Sequence, residues 1–169
     1  MIGREKSRPV RYRDRVSQPS ILFVCLGNIC RSPLAEAALR KRAVAAGVAM
    51  TIDSAGTGDW HTGNAPDPRA QEMALEHGVD ISKYRARAVT EDDFHKFGHI
   101  FALDQQNLKD LRRIEPARHI AEVGLLMDLV PGRKGTAVID PYYGDHTDFA
   151  QAWADVDAAA QALVKRYSR

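Results

Sequence analysis

The chain has 169 residues, of which 44% are hydrophobic and 27% are charged, and its formal net charge is +2. This length suits one domain with a sizeable core, and no apolar run approaches the roughly 20 residues that a membrane helix needs. The charged N-terminus is not typical of a secretory signal, and two cysteines are too few for a disulfide scaffold. The sequence therefore predicts a cytoplasmic globular protein that does not bind a membrane.

The basic charge of the chain is concentrated at its N-terminus. Residues 1–19 hold six lysine or arginine residues against two acidic ones, which gives +4 and leaves −2 for residues 20–169. We therefore predict a basic, disordered extension over 1–19, followed by a single domain over 20–169. The extension could instead contact an acidic partner or pack on the domain. The domain itself lacks the basic character of a nucleic-acid-binding protein, so no nucleic-acid partner is predicted.

The first predicted element is a buried strand. Residues 21–24 form a continuous apolar run, as expected for a strand that is covered on both faces. A short loop, residues 25–31, follows it. A helix is then predicted, because Ser32 can cap it, Pro33 suits its first position, and an alanine-rich segment continues to Ala46.

The rest of the chain alternates strand-like and helix-like segments. Further strands are predicted at 50–52, 99–103 and 123–126, and further helices at 67–77, after 103 to 113, and over 149–164. Such alternation predicts an α/β fold with a four-stranded parallel sheet and helices on both faces. Ligand sites in these folds lie at the carboxyl ends of the strands. The loop after the first strand is therefore the predicted site.

That loop carries a Cys-x5-Arg pattern, formed by Cys25 and Arg31. Gly27 and Asn28 can take turn conformations inside it, so that backbone N–H groups and the following helix N-terminus point at one anion. This positive field would favour a thiolate on Cys25. Arg31 can bind two oxygens of a phosphoryl group, and the Ser32 hydroxyl can stabilise the leaving thiolate. The pattern predicts cysteine-dependent phosphoryl transfer.

The loop allows three other interpretations. Cys25 could be an inert core cysteine at the end of a strand, which is the commoner case for an isolated cysteine. Cys25 and Cys30 could form half of a zinc site, but no second Cys/His pair at suitable spacing follows. The loop also lacks the Gly-Lys-Ser/Thr of an NTPase phosphate loop. Neither a metal nor a cofactor is therefore predicted.

Residues 24–33, Val-Cys-Leu-Gly-Asn-Ile-Cys-Arg-Ser-Pro, resemble the signature loop of the low-molecular-weight protein tyrosine phosphatases. A second family motif, Asp-Pro-Tyr-Tyr-Gly, lies at 140–144, and residues 53–57 and 67–70 also match in order. The resemblance covers roughly residues 20–168. It implies a metal-independent enzyme that hydrolyses phosphotyrosine in proteins through a phosphocysteine intermediate. Cys25 would be the nucleophile, Arg31 the phosphate ligand, and Asp140 the acid and then the base.

The resemblance also implies a set of residues around the substrate. Trp60, Tyr142 and Tyr143 would form aromatic walls, although loop aromatics often only cover core edges. Asn28 and Ser54 would hold the loop through hydrogen bonds, unless they only satisfy their own turns. The full predicted set comprises Leu26, Gly27, Asn28, Ile29, Cys30, Ser32, Ser54, Trp60, Tyr142 and Tyr143.

Several questions stay open at the level of sequence. Many relatives carry a histidine in the segment that corresponds to 80–85, but this chain does not. Two alternatives share the fold. Arsenate reductase needs cysteines beyond Cys30, and protein arginine phosphatases carry threonine where this chain has Ile29. A catalytically dead phosphotyrosine-binding module is a third alternative. The family resemblance also suggests that Cys30 protects Cys25 from over-oxidation by forming a disulfide. The sequence specifies no oligomeric state.

Overall fold

The computed structural model describes residues 18–168. Nearly all of the predicted basic extension therefore lies outside the described residues. The chain order of elements is β1 (Ser20–Cys25), α1 (Arg31–Ala46), β2 (Thr51–Gly56), α2 (Pro68–Glu76), the single-turn α3 (Asp93–Lys96), β3 (His99–Ala102), α4 (Gln105–Ile114), β4 (Glu122–Leu125) and α5 (His146–Tyr167). A short 3₁₀ turn, Leu126–Leu129, follows β4. No helix in the described part of the chain is both long and apolar enough to cross a membrane.

The four strands form one parallel sheet in the order β2-β1-β3-β4, which confirms the predicted fold class. The chain leaves β1 toward β2 on one side and later returns to place β3 on the other side of β1. The sheet order therefore reverses at β1, which makes its carboxyl end the expected ligand site of an open α/β sheet. Cys25 is the last residue of β1 and pairs in register with Gly56 of β2.

Both faces of the sheet are covered. Alternate residues of β1 point to opposite sides: Ile21 and Phe23 pack in a core with α1, α2 and α5, and Leu22 and Val24 pack in a second core with α3 and α4. All four side chains are at most 1% exposed. This two-sided burial explains why the strand is continuously apolar in sequence.

The helix ends mostly follow the sequence signals, with one correction. Asp67 caps α2, and its carboxylate accepts a hydrogen bond from the Arg69 backbone N–H. Helix α1 begins two residues earlier than predicted, and its N-cap position is Cys30, which gives no side-chain cap. Ser32 does not cap the helix because its hydroxyl faces the Cys25 sulfur and the Asn28 amide.

The second strand is longer than predicted. The sequence indicated only residues 50–52, whereas β2 spans Thr51–Gly56. The polar pair Asp53 and Ser54 concealed its second half. An edge strand tolerates such residues when they have partners, and Asp53 forms an ion pair with Arg87 at 3.0 Å.

Candidate active site

A cleft of about 410 Å³ opens at the carboxyl end of β1. Its lining combines residues 25–32, which we call the phosphate loop, with residues 60–61 and with the 140–145 loop. The structure thereby brings together residues more than a hundred positions apart in the chain. The lining consists of Cys25, Leu26, Gly27, Ile29, Cys30, Arg31, Trp60, His61, Asp140, Tyr142 and Tyr143.

The phosphate loop turns at Asn28. Asn28 has φ of 59°, and no other non-glycine residue among 18–168 has a positive φ. Its side chain is nevertheless fully bonded: the amide nitrogen donates to Ser32 Oγ (2.8 Å) and to Ser54 Oγ (3.0 Å). Its carbonyl oxygen accepts the Arg87 backbone N–H at 3.0 Å. The Asn28 side chain thus lies beneath the loop and not in the cleft. Its hydrogen bonds offset the cost of the left-handed backbone.

A buried carboxylate continues this network beneath the loop. The Ser54 hydroxyl donates to Glu36 Oε1 at 2.7 Å, and Arg40 Nε donates to Glu36 Oε2 at 2.9 Å. Burial raises the pKa of Glu36, and the hydrogen bonds from Ser54 and Arg40 only partly oppose this shift. Tyr84 lies beside Glu36 and belongs to the segment 80–85, which has no histidine in this chain. Burial, with the Glu36 charge, raises the pKa of Tyr84 to about 12. Because Tyr84 carries no positive charge, the charge beside Glu36 comes from Arg40.

Glycine is required where β2 approaches the phosphate loop. A Cβ on Gly56 would lie 2.7 Å from the Leu26 carbonyl oxygen, which is backbone and cannot move aside easily. Two hydrogen bonds extend the contact, because the N–H groups of Thr57 and Gly58 donate to the carbonyls of Cys25 and Leu26, both at 2.9 Å. The first half of the loop is therefore fixed to the neighbouring strand.

The two cysteines of the loop differ in their surroundings. Cys25 Sγ lies 3.0 Å from Ser32 Oγ, so that a thiolate on Cys25 can accept a hydrogen bond from the Ser32 hydroxyl. Cys30 is 5% exposed. Burial, followed by the charges of Asp67 and Cys25, raises the pKa of Cys30 far above its usual range. Cys30 therefore stays a protonated thiol at neutral pH, and both cysteines are free in this structure.

Arg31 is anchored on one side of its guanidinium. Its Nη1 donates to Asp104 Oδ2 at 2.8 Å and to the Val138 carbonyl at 2.9 Å. Asp104 also caps α4 by accepting the Asn107 N–H at 2.7 Å. The anchored nitrogen leaves Nε and Nη2 to bind two oxygens of an anion, as the planar fork of arginine allows. Nη2 lies 3.7 Å from Asp140 Oδ2.

The 140–145 loop forms the opposite wall of the cleft. The Asp140 side chain is 48% exposed, and its Oδ1 accepts the Tyr142 N–H at 3.1 Å. Tyr142 and Tyr143 pack edge to face with ring centroids 4.9 Å apart, and Tyr143 is 96% exposed. Trp60, also exposed, lines the same cleft. A planar ring that enters the cleft can therefore pack against aromatic side chains.

The sequence missed three residues around the cleft. His61 lines it, and its ring packs on Gly27 so closely that a Cβ there would lie 2.8 Å from His61 Cδ2. Asp104 anchors Arg31, and Glu36 supports Ser54. Asp104 had a visible signal, because it follows a strand at the same sheet edge as Cys25 and precedes a helix. Glu36 and His61 had no such signal.

In the described part of the chain, one group of side chains lies close enough together to bind a metal ion. It consists of Glu72, Glu76 and His146, all exposed. None of these three residues lines the cleft. His146 Nε2 already pairs with Glu76 Oε2 at 2.8 Å, and this contact raises the pKa of His146.

Comparisons with known proteins agree with this site. Residues 20–169 match the family model described as low molecular weight phosphotyrosine protein phosphatase. A protein of that name from Schizosaccharomyces pombe is 41% identical over 148 residues, which cover 86% of this chain and 94% of the relative. A crystal structure of a protein tyrosine phosphatase from Entamoeba histolytica is 33% identical, with a TM-score of 0.82 and coverage of 88% of this chain and 96% of that one.

A Drosophila arginine phosphatase, DARP, also has this fold. It is 28% identical with a TM-score of 0.82, and the match covers 88% of this chain and 98% of that one. The sheet and helices are thus those of an α/β phosphatase. With the match to the family model over nearly the whole domain, the chain belongs to the low molecular weight phosphotyrosine protein phosphatases.

Proposed function

We propose that this chain hydrolyses phosphotyrosine in proteins through a phosphocysteine intermediate formed on Cys25. The observation that carries the proposal is the convergence of Cys25, Arg31 and Asp140 in one cleft between aromatic walls. A nucleophile, a bidentate phosphate ligand and a proton donor are the groups that phosphoryl transfer from a phenol requires. All three are side chains of this protein, and we therefore propose metal-independent catalysis.

In the first step, the Cys25 thiolate attacks phosphorus. The S–P bond forms as the P–O bond to the phenol breaks, and Asp140 donates its proton to the leaving oxygen. The free side of the Arg31 guanidinium binds two equatorial oxygens, where charge accumulates in the transition state. The Asp104 anchor at 2.8 Å fixes the direction of that side.

In the second step, water attacks the phosphocysteine. Asp140, now a carboxylate, accepts a proton from the water as the O–P bond forms and the S–P bond breaks. The Ser32 hydroxyl, 3.0 Å from the sulfur, donates to the leaving thiolate. Phosphate is released, and the site returns to its starting state.

The aromatic walls favour phosphotyrosine over smaller phosphoamino acids. Trp60 and Tyr142 line the cleft above the phosphate loop, and a phenyl ring bound to the phosphorus would reach between them. Phosphoserine carries no ring to bury there, so it would lose this contact. We therefore propose phosphotyrosine-containing proteins as substrates.

A peptide screen tests the proposal. The purified protein is offered phosphotyrosine, phosphoserine and phosphoarginine versions of one peptide in the presence of EDTA, and kcat/KM is compared. We expect phosphotyrosine to be preferred and EDTA to leave the rate unchanged. A preference for phosphoarginine would favour the activity named for DARP, and a loss of activity in EDTA would contradict metal independence.

Redox control is a further part of the proposal. Peroxide would transfer an oxygen to the Cys25 thiolate, giving a sulfenic acid, and the Cys30 thiol would then condense with it to form a disulfide and water. After peroxide and then dithiothreitol, wild type should recover and Cys30→Ser should stay inactive. Equal recovery would assign Cys30 to packing. Because this chemistry needs both thiols to be reduced at rest, we propose a cytoplasmic location, which cell fractionation checks.

A further inference from the structure

Helix α2 meets both sides of the cleft at its first turn. The Asp67 backbone N–H, at the N-cap, donates to the Ile29 carbonyl of the phosphate loop at 2.8 Å. Two residues later, Arg69 Nη1 donates to the Gly144 carbonyl of the 140–145 loop at 3.3 Å. One short segment of the chain therefore contacts both loops that line the cleft.

Asp67 holds the Arg69 guanidinium in a fixed direction. Its two carboxylate oxygens accept hydrogen bonds from Arg69 Nε at 3.0 Å and Nη2 at 2.9 Å, a bidentate arrangement. The Asp67 side chain is only 9% exposed. Burial acts to raise the pKa of Asp67, but the hydrogen bonds from Arg69 outweigh it and hold the pKa below its usual value. The pair is therefore ionised and ordered at neutral pH.

The guanidinium also packs on two aromatic rings. Arg69 Cζ lies 4.8 Å from the ring centroid of Phe149, which is buried in the first turns of α5, and 5.6 Å from that of Tyr142. Both distances lie in the range of cation–π contacts. Arg69 thus contacts the 140–145 loop through a backbone carbonyl and through a side chain, and it contacts the helix that follows the loop.

The position of Asp140 depends on this loop. The only hydrogen bond recorded for its carboxylate among residues 18–168 comes from the Tyr142 backbone N–H, and the side chain is about half exposed. A shift of Tyr142 or of the loop backbone would therefore move the carboxylate relative to Cys25. Displacements of this kind lower rates steeply in a site that acts by orientation.

We propose that Arg69, fixed by Asp67, is a positioning residue that holds the 140–145 loop so that Asp140 reaches the leaving oxygen. This inference rests on the proposed role of Asp140 as the acid. Arg69 does not touch the substrate in this account. It acts through Tyr142 and Gly144, and its loss should affect proton donation more than phosphate binding.

A leaving-group series distinguishes this role from a merely structural one. Arg69→Ala should lower kcat/KM for phenyl phosphate by about tenfold through misplacement of the acid, and much less for a dinitrophenyl phosphate, whose phenolate needs little protonation. The inhibition constant of inorganic phosphate should stay unchanged. In an Asp140→Asn background, Arg69→Ala should cause no further loss, because the acid that it positions is already absent.

Arg42→Ala is the matched control. Arg42 on α1 makes a bidentate pair with Asp157 of α5, at 2.6 and 2.8 Å, and does not line the cleft. The Arg42→Ala variant should show the same dependence on the leaving group as wild type. Arg69→Gln, which keeps the aliphatic carbons of the side chain but not the guanidinium, serves as a second variant and should behave like Arg69→Ala.

The outcomes separate two failures. Suppose first that Asp140→Asn shows the leaving-group effect. The positioning role is then refuted, and the proposed function stands, if the Arg69 variants lose the same factor in activity with every substrate or show the same leaving-group dependence as Arg42→Ala. The same conclusion follows if the losses from Arg69→Ala and Asp140→Asn are additive. If Asp140→Asn itself shows no leaving-group effect, Asp140 is not the acid, and both proposals are wrong.

Discussion

The two loops that face each other across the cleft are built in opposite ways. The phosphate loop is continuous with the central strand, and Asn28, Arg31 and Ser32 are at most 3% exposed. The 140–145 loop lies at the surface, with Tyr142, Tyr143 and Asp145 exposed. The difference fits the division of tasks that we propose: the buried loop is preorganised to bind a phosphoryl group, and the exposed loop delivers a proton and borders the substrate ring.

This difference predicts different consequences of substitution. Changes that remove hydrogen bonds within the phosphate loop or beneath it should alter phosphate affinity and stability together, because the same hydrogen bonds serve both. Changes in the 140–145 loop should lower kcat/KM more for substrates with more basic leaving groups and leave stability nearly unchanged.

The largest effects should come from the two charged groups of the phosphate loop. Cys25→Ser should abolish turnover but keep phosphate binding, because a serine hydroxyl stays protonated where a thiolate is needed. Arg31→Ala should lose both, with phosphate affinity falling by about 10²-fold, since two charge-assisted hydrogen bonds of about 1.5 kcal/mol each disappear. Steady-state kinetics and phosphate titrations measure these effects. Activity of Cys25→Ser near that of wild type would contradict the mechanism.

Asp140→Asn tests the exposed loop directly. It should lower kcat/KM, which reports formation of the phosphocysteine, by about 10²-fold or more for phenyl phosphate, the range of a lost general acid, and lower it less as the leaving group becomes less basic. Phosphate inhibition and thermal stability should be close to wild type, because the carboxylate is half exposed. An equal penalty for every leaving group would assign Asp140 another role.

Ser54→Ala tests the support beneath the phosphate loop. Its hydroxyl accepts from Asn28 and donates to Glu36. Only the bond with Asn28 reaches the phosphate loop, and the loss of its contribution of about 1 kcal/mol should weaken phosphate binding about fivefold. The melting temperature should fall by about 2–4 °C per kcal/mol.

Ser20→Ala is the control, because Ser20 Oγ accepts the Gly98 N–H at 2.8 Å, away from the cleft. It should lower the melting temperature similarly without changing phosphate binding. If both variants bind phosphate like wild type, the network under the loop serves stability alone.

Glu36→Gln should reveal a pH-dependent cost under the same loop. Burial raises the pKa of Glu36 above its ordinary value of 4.5, so the folded state favours the protonated carboxyl. Its contribution to stability is therefore fully present below pH 4.5 and is lost as the pH rises through the raised pKa.

Urea unfolding at pH 4 and pH 7 measures this effect. Glu36→Gln should match wild type at pH 4 and be at least as stable at pH 7, whereas Glu72→Gln, an exposed control, should show no such trend. A wild type that gains stability over Glu36→Gln between the two pH values would show that the Arg40 pair outweighs burial.

The sequence predicted the phosphate loop and its place in the fold because the determinants are local. An apolar strand, a short loop and a helix start lie within residues 20–46, and the parallel sheet follows from the alternation of elements. The cap assigned to Ser32 was wrong because the hydroxyl has stronger partners within the loop. The second half of β2 was missed because its polar side chains find partners far along the chain.

Long-range contacts set the limit for the site as well. Asp104 is 73 positions from Arg31, and Arg69 is 75 positions from Gly144, so no local pattern joins these residues. Glu36 is a polar residue on a buried helix face, visible only once Ser54 and Arg40 are placed beside it. The reactive groups can be predicted from sequence because each reaction step needs a particular residue type. The residues that position them can be identified only from the folded structure.

The central claim is that phosphate passes through Cys25. The most direct test is acid quenching during turnover of dinitrophenyl phosphate, whose good leaving group needs little protonation, followed by mass spectrometry to locate the phosphate on the chain. Asp140→Asn is the protein to use, because it lacks the base for the second step and should accumulate the intermediate. The account predicts phosphate on Cys25 and none in the Cys25→Ser, Asp140→Asn double variant. Phosphate on another side chain, or turnover that persists in the double variant, would contradict it.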